Sequence, residues 1–351
     1  MRMRPAPAAV ALIGLTLLDA ARAAAGRLGD PEDAEALHDF RVTVRRLRTL
    51  LRSYRDDVGE VVTRKLQRRL RDVARSTGPG RDAEVQLAWI EAHRADLGAG
   101  PRPGLAWLVA RLEQRRDRAY AGIREDGPPE FHQLERRIRR GLTRGLADTT
   151  PGRLAFGAAT GRLVRTYVAE LEQELDAARS TRDAAAIHRA RIAVKRLRYL
   201  LEPLQGEGAP GATGPAIIDR LKQLQDLLGE LHDLHVLAAE LGDASADAAA
   251  ERARRQHQAA VRDATRAAPK RRPRPAPGSA GVLALARLVA QWEERLFSRL
   301  VSEWIDDALL ALVEDVTRWG HALNVPVLAP HPSRSRALPT RRSATRPARA
   351  E

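Results

Sequence analysis

"LHDFRVTVRRLRTLLR", residues 37–52, sets one histidine and five arginines into sixteen positions that otherwise suit a helix. At 100° per residue His38, Arg41, Arg45, Arg48 and Arg52 fall within an arc of about 80°, a single basic ridge. Leu37, Phe40, Val44, Leu47, Leu50 and Leu51 fall on the opposite side, so the helix can bury an apolar back and keep the ridge clear. At 1.5 Å per residue the ridge is about 21 Å long, far more than one phosphate group needs. Cations spaced i, i+3 and i+4 repel, each pair costing an isolated helix roughly 0.2–0.5 kcal/mol. One such helix alone reads as a solvated basic face; two copies at matching steps point to an extended anion site.

The stretch returns as "IHRARIAVKRLRYLLE" at 187–202. His188, Arg191, Lys195 and Arg198 keep the ridge, and Ile187, Ala190, Val194, Leu197, Leu200 and Leu201 stand behind it. Arg46 and Arg196 sit at the margins. Glu202 takes the register of Arg52, so the second ridge is shorter. The same offset of 150 carries Ile13, Leu17, Ala21 and Ala25 onto Leu163, Tyr167, Leu171 and Leu175. That correspondence makes residues 1–26 a first helix of the fold, although their basic start and short apolar run also suit a secretory leader. No later segment is long and apolar enough to span a membrane.

Extending the comparison predicts an all-α chain of two helical units, 1–150 and 151–325. Each opens with an amphipathic helix, 8–27 and 155–179, followed by the basic helix. Asp30 and Ser180 are the expected N-caps of the basic helices. A third helix follows, in which Asp72 and Asp82 answer Asp226 and Asp233, Arg68 answers Lys222, and His232 stands where the first unit has Arg81. Fourth helices close the units at 104–124 and 281–306, with further helical sequence at 130–146 and 307–323. Residues 265–280 carry five basic and no acidic residues among prolines, and 326–351 carry six arginines against Glu351. These read as a flexible insertion and a disordered basic tail that contact polyanions loosely at most.

The net charge is +15 over 351 residues. The two Pro-rich stretches hold +10 of it and the two basic helices +8, leaving the rest of the chain slightly acidic. Basicity is therefore concentrated. The chain has no cysteine, which removes disulfides and thiolate metal sites. It has no G-x-x-x-x-G-K-[ST] loop to hold a nucleotide phosphate. A metal-dependent phosphate-processing enzyme would have to use His232, Asp233 and His235, or Glu35 with His38, and Glu35 corresponds to Ala185. DNA or RNA is the stronger rival, since both present rows of phosphates. Base reading needs Asn, Gln or Arg aimed at base edges, and single-strand binding favours exposed aromatics. The ridges carry no Asn or Gln and only Tyr199 as a nearby aromatic.

The duplicated His-x-x-Arg-x-x-x-(Arg/Lys)-Arg-Leu-Arg pattern resembles the CHAD domain, the conserved histidine α-helical domain. "LRDVARSTGPGRDAEV" follows its first copy and "LKQLQDLLGELHDLHVL" its second. The resemblance runs from about residue 8 to 323. It implies two pseudo-symmetric four-helix bundles forming one CHAD domain, with a central basic channel that binds inorganic polyphosphate, and an association with polyphosphate granules in the cytoplasm. Carried over by motif position, the ligands are His38, Arg41, Arg45, Arg46, Arg48 and Arg52 with His188, Arg191, Lys195, Arg196 and Arg198. Arg68, Lys222 and Arg81 are added from the third helices. Many relatives carry a triphosphate-tunnel (CYTH) domain with a Glu-x-Glu-x-Lys strand; "ELEQELD" at 170–176 has no such lysine, so a stand-alone binding module without enzymatic activity, cofactor or metal is expected.

Overall fold

Hydrophobic spacing and end signals account for the elements of the computed structural model, which describes residues 1–30, 33–58, 62–98, 102–147, 154–206, 214–264, 279–305 and 307–324. The described residues form helices and no strands. In order they are α1 (Ala6–Arg27), α2 (Ala34–Ser53), the single turn α3 (Arg55–Val58), α4 (Arg64–Ser76), α5 (Gly78–Ala92), α6 (Arg102–Leu146), α7 (Phe156–Ala177), α8 (Ala184–Leu201), α9 (Gly214–Ala264), α10 (Ser279–Leu300) and α11 (Asp307–Asn324). Of the expected insertion 265–280, residues 265–278 lie outside the described residues, whereas Ser279 and Ala280 already belong to α10; the expected tail, 326–351, and the expected unit boundary at 150/151 also lie outside them.

Both N-cap expectations are corrected. The α2 cap is Asp33, whose carboxylate accepts from the Ala36 amide at 2.9 Å, because a cap must sit within reach of the second or third helical N–H. Arg27 fixes this carboxylate from α1 with a bond of 2.7 Å to one oxygen and 3.0 Å to the other, and holds its pKa below the usual range. At α8, Asp183 rather than Ser180 precedes the first turn. Its carboxylate turns backwards and accepts from the amides of Arg179 and Ser180, each at 2.9 Å.

The third helix of the first unit is two helices. "TGPG" interrupts it, since Pro79 offers no N–H to the preceding turn, and Thr77 is buried at the joint between α4 and α5. Gly80 then passes against α6 so closely that a Cβ there would lie 2.4 Å from the Tyr120 ring. The two helical stretches expected on either side of "GPP" are joined as the 45-residue α6. Buried Leu108, Leu112 and Ile123 on one side of the prolines, and Phe131, Leu134, Ile138 and Leu142 on the other, hold it through the weak point.

One apolar core runs through both halves. Phe40 of α2 meets Phe131 of α6 edge-on at 5.0 Å. Tyr54, just after α2, stacks on Phe156 at 5.2 Å and exchanges a 2.6 Å hydrogen bond with Thr160, tying the first half to α7. The starts of α1 and α7 are joined by two hydrogen bonds that exchange under the offset of 150: Ala6 N donates to Leu154 O at 2.9 Å, and Phe156 N donates to Arg4 O at 2.8 Å. α1 is apolar and long enough to cross a membrane by composition, yet Ala6, Ala9, Val10, Ala11, Leu18 and Ala21 are fully buried in the core, and it packs on α2, α6 and α7.

α7 and α11 approach through glycines. A Cβ on Gly161 would lie 2.4 Å from the Gly320 carbonyl oxygen, a backbone atom that cannot swing aside. Gly161→Val is expected to cost about 1–3 kcal/mol in urea unfolding through this overpacking; an unchanged midpoint would show that the helices can separate freely.

Candidate anion-binding site

α2 and α8 pack against each other with their apolar backs in the core, and Arg41 and Arg45 of the first ridge meet Arg191 of the second. A cavity of about 280 Å³ opens there, lined from the first half by His38, Arg41, Arg45, Arg81 and Asp82 and from the second by Arg191, His232 and Asp233. Val42, Val85, Gln86 and Val236 complete the wall. The α5 residues Arg81 and Asp82 face the α9 residues His232 and Asp233, as the sequence correspondence places them.

The cations are crowded and partly starved of counter-charge. The Arg191 guanidinium is held below its ordinary pKa chiefly by burial, with Asp233 opposing and Arg45 reinforcing the shift. Lys195 is pushed down to about 7, first by burial and then by Arg191, Arg45, Arg48 and Arg196. The Nε of Arg45 is buried with no hydrogen-bond partner, a cost normally avoided. Arg41 is differently placed: its Nη1 donates to the Thr77 carbonyl and, at 3.1 Å, to the Thr77 hydroxyl. It therefore braces the α4–α5 joint while fronting the cavity. Burial raises the carboxyl pKa of both Asp82 and Asp233, against the pull of Arg41 on the first and Arg191 on the second.

The histidines separate. His38 is exposed at the cavity wall. His188 stands behind, with its Nδ1 3.3 Å from Nδ1 of His232, so one ring donates and the other accepts. Both are held neutral: burial and then Arg191 depress His188, and the same two causes push His232 down to about 3. The cavity wall thus has His232 where the sequence comparison favoured His188. His235 turns away and bonds the Thr181 carbonyl at 2.9 Å. Among the described residues no three His, Asp or Glu side chains gather at metal-holding spacing.

Three expected ligands are committed elsewhere. Glu202 accepts from Arg46 at 3.0 Å and from Arg198 at 2.8 Å, and Glu170 accepts from Arg196 at 2.8 Å. Tyr199 lies between Arg46 and Arg198, whose guanidinium carbons stand 5.4 and 4.7 Å from its ring centre. Arg198 also donates to Gln225 at 3.1 Å. Ridge membership set the angle of these side chains on one helix; carboxylates from other elements decided their occupation. Arg81 pairs with Glu84 on its own helix. Lys222 is exposed one turn before Gln225 on α9, and Arg48, Arg52 and Arg68 line a separate pocket at the far end of α2. Asp82, Asp233 and Gln86 were not among the expected anion-site residues; the signals for the aspartates were their correspondence between the halves and, for Asp233, its place beside His232 and His235.

The CHAD domain model matches residues 13–242, which include both basic helices and the cavity wall. The chain belongs to the CHAD family. The crystal structure of the CHAD domain from the plant Ricinus communis is similar over 92% of this chain and 93% of that one, with a TM-score of 0.57 and 21% identity. The likeness covers more of the chain than the matched residues 13–242. A search among curated protein sequences finds no match.

Proposed function

We propose that this CHAD protein binds inorganic polyphosphate in the groove between α2 and α8, as a binding module without catalytic activity, and that it acts at polyphosphate granules in the cytoplasm. The observation that carries the reading is the meeting of Arg45 and Arg191, one from each half, around one cavity, with Lys195 in the field of both and no salt bridge to any of the three among the described residues. A phosphate chain supplies repeated charge in a thin strand, and arginine forks take its oxygens in pairs. The two units, related by the offset of 150, each contribute one wall. Arg46, Arg196 and Arg198 then hold the groove's shape through Glu202 and Glu170, and His38, Arg41, Arg45, Arg191 and Lys195 meet the ligand.

Nucleic acid is the rival reading. The cavity lining contains no Phe, Tyr or Trp on which a base could stack, and a volume of about 280 Å³ cannot admit a duplex. A titration series in rising salt, comparing long polyphosphate with duplex DNA and RNA of matched charge, tests the choice. Polyphosphate is expected to bind tighter at every salt concentration, with log K falling linearly in log salt. Tighter binding of either nucleic acid would overturn the reading.

A further inference from the structure

The basic run of α2 continues past the central cavity. At its far end Arg48, Leu51, Arg52 and Arg55 meet Arg64, Gln67, Arg68 and Arg71 across a second pocket of about 720 Å³. The spacing i, i+3, i+4, i+7 puts Arg64, Gln67, Arg68 and Arg71 on one face of α4, and Arg48, Leu51 and Arg52 share a face of α2, with Arg55 opening α3 just beyond it. The floor is Leu51, Val62 and Leu70, all fully buried. The walls set six arginines against one carboxylate, Asp56. Asp56 pairs with Arg55 at 3.4 Å and Arg71 leans on Asp72 at 3.0 Å, but Arg48, Arg52, Arg64 and Arg68 have no salt bridge among the described residues.

Two further features mark the pocket as unbalanced. The first turn of α4 contains Arg64 and Lys65 and no acidic residue, the wrong sign for a helix N-terminus. The Arg48 guanidinium is destabilised by burial and then by Arg52, Arg75, Arg71 and Arg196. The matching end of α8 is different: Glu202 stands in the register of Arg52 and occupies Arg46 and Arg198. One end of the groove is thus closed by a carboxylate and the other opens onto arginines. Arg45 at the cavity and Arg48 at the pocket stand one turn apart on α2, and Lys195 lies in the field of both, so the cations run on from one to the other.

We propose that the six-arginine pocket is a second phosphate site, taking the part of a condensed phosphate chain that leaves the central cavity past Lys195 and Arg48, and so makes the protein prefer long chains to short ones. This rests on the polyphosphate reading and adds Arg55, Arg64 and Arg71 to its ligands. The pocket also gives binding a direction, because α8 has no counterpart to it.

The test is the triple variant R55Q/R64Q/R71Q, titrated calorimetrically with long-chain polyphosphate and with inorganic triphosphate, which the central cavity can hold alone. Long-chain affinity is expected to fall about tenfold and the slope of log K against log salt to shrink by about 2, while triphosphate affinity stays within about twofold. Equal losses for both ligands, or none, would overturn the second site and leave the central one standing. Failure of the unmodified protein to bind either ligand would overturn the polyphosphate reading and this inference together. Far-UV circular dichroism checks the fold, and if the triple variant loses helicity the single Arg64→Gln change, on an exposed side chain, decides with an expected loss of about twofold for long chains only.

Discussion

Reversing two charges at the centre of the first ridge, R45E/R48E, is expected to weaken polyphosphate binding about 10²–10⁴-fold, since each lost charge-assisted contact is worth roughly 1.5–3 kcal/mol. The helices should survive the change. Arg45 already has a buried Nε without a partner, and Arg48 sits in the repulsive field of four other arginines, so the free protein loses little by giving up these cations. New carboxylates at these positions would face Lys195 and Arg191 and relieve part of the crowding. Retention on a polyphosphate column and a thermal melt on the same preparation separate the outcomes. Retention equal to the unmodified protein would remove the ridge from the binding site, and a collapse of the melt would make the two arginines structural.

Lys195→Met is expected to move stability and binding in opposite directions. Methionine matches the length of the lysine stem and removes a half-buried ammonium group that four guanidinium groups oppose. Replacing such a charge by an apolar group of similar volume is expected to stabilise the protein by about 1–3 kcal/mol at pH 6, while binding falls about tenfold or more. The sign follows from linkage. The folded pKa, about 7, lies below the ordinary 10.5, so in that window the unfolded chain holds a proton that the folded protein does not. Unmodified protein therefore gains stability as pH rises from about 7 to 10.5, and the variant loses that part of the slope.

Polyphosphate reverses this balance by making the ammonium form favourable. At about pH 8 binding should take up close to one proton at Lys195, which calorimetry in buffers of different ionisation enthalpy reads directly. His188 and His232, held neutral at lower values, stay out of that window. A destabilised variant, or proton uptake unchanged by the substitution, would place Lys195 outside the binding groove.

Much of this was readable from side-chain spacing alone. The helical period fixes which residues share a face, so the apolar backs of "LHDFRVTVRRLRTLLR" and "IHRARIAVKRLRYLLE" and their basic ridges follow from residue identity, and Phe40, Val44, Leu47, Ile187, Val194 and Leu197 are buried as that pattern requires. The pattern also singled out residues 1–26 as helix, and α1 lies in the core. Local signals were weaker at the ends: Asp33 caps α2 three residues after the expected Asp30, because the two aspartates compete within one loop and only the position of the first turn selects between them. Similarly, "TGPG" breaks one helix at Thr77 while "GPP" is carried through another, since the second is flanked by buried apolar residues that outweigh its missing donors.

The amino-acid sequence by itself determined the helices, their faces and the concentration of positive charge, because each depends on neighbours within a turn or two. Only the tertiary structure decided which cations remain available: Glu170 reaches Arg196 from 26 residues away, Glu202 reaches Arg46 from the other half, and Thr77 holds Arg41. Likewise the pocket shared by Arg55, Arg64 and Arg71 exists because α4 folds back across the end of α2. Spacing along a chain gives an angle about one helix axis; the distance between charges on different helices is set by how their apolar faces pack.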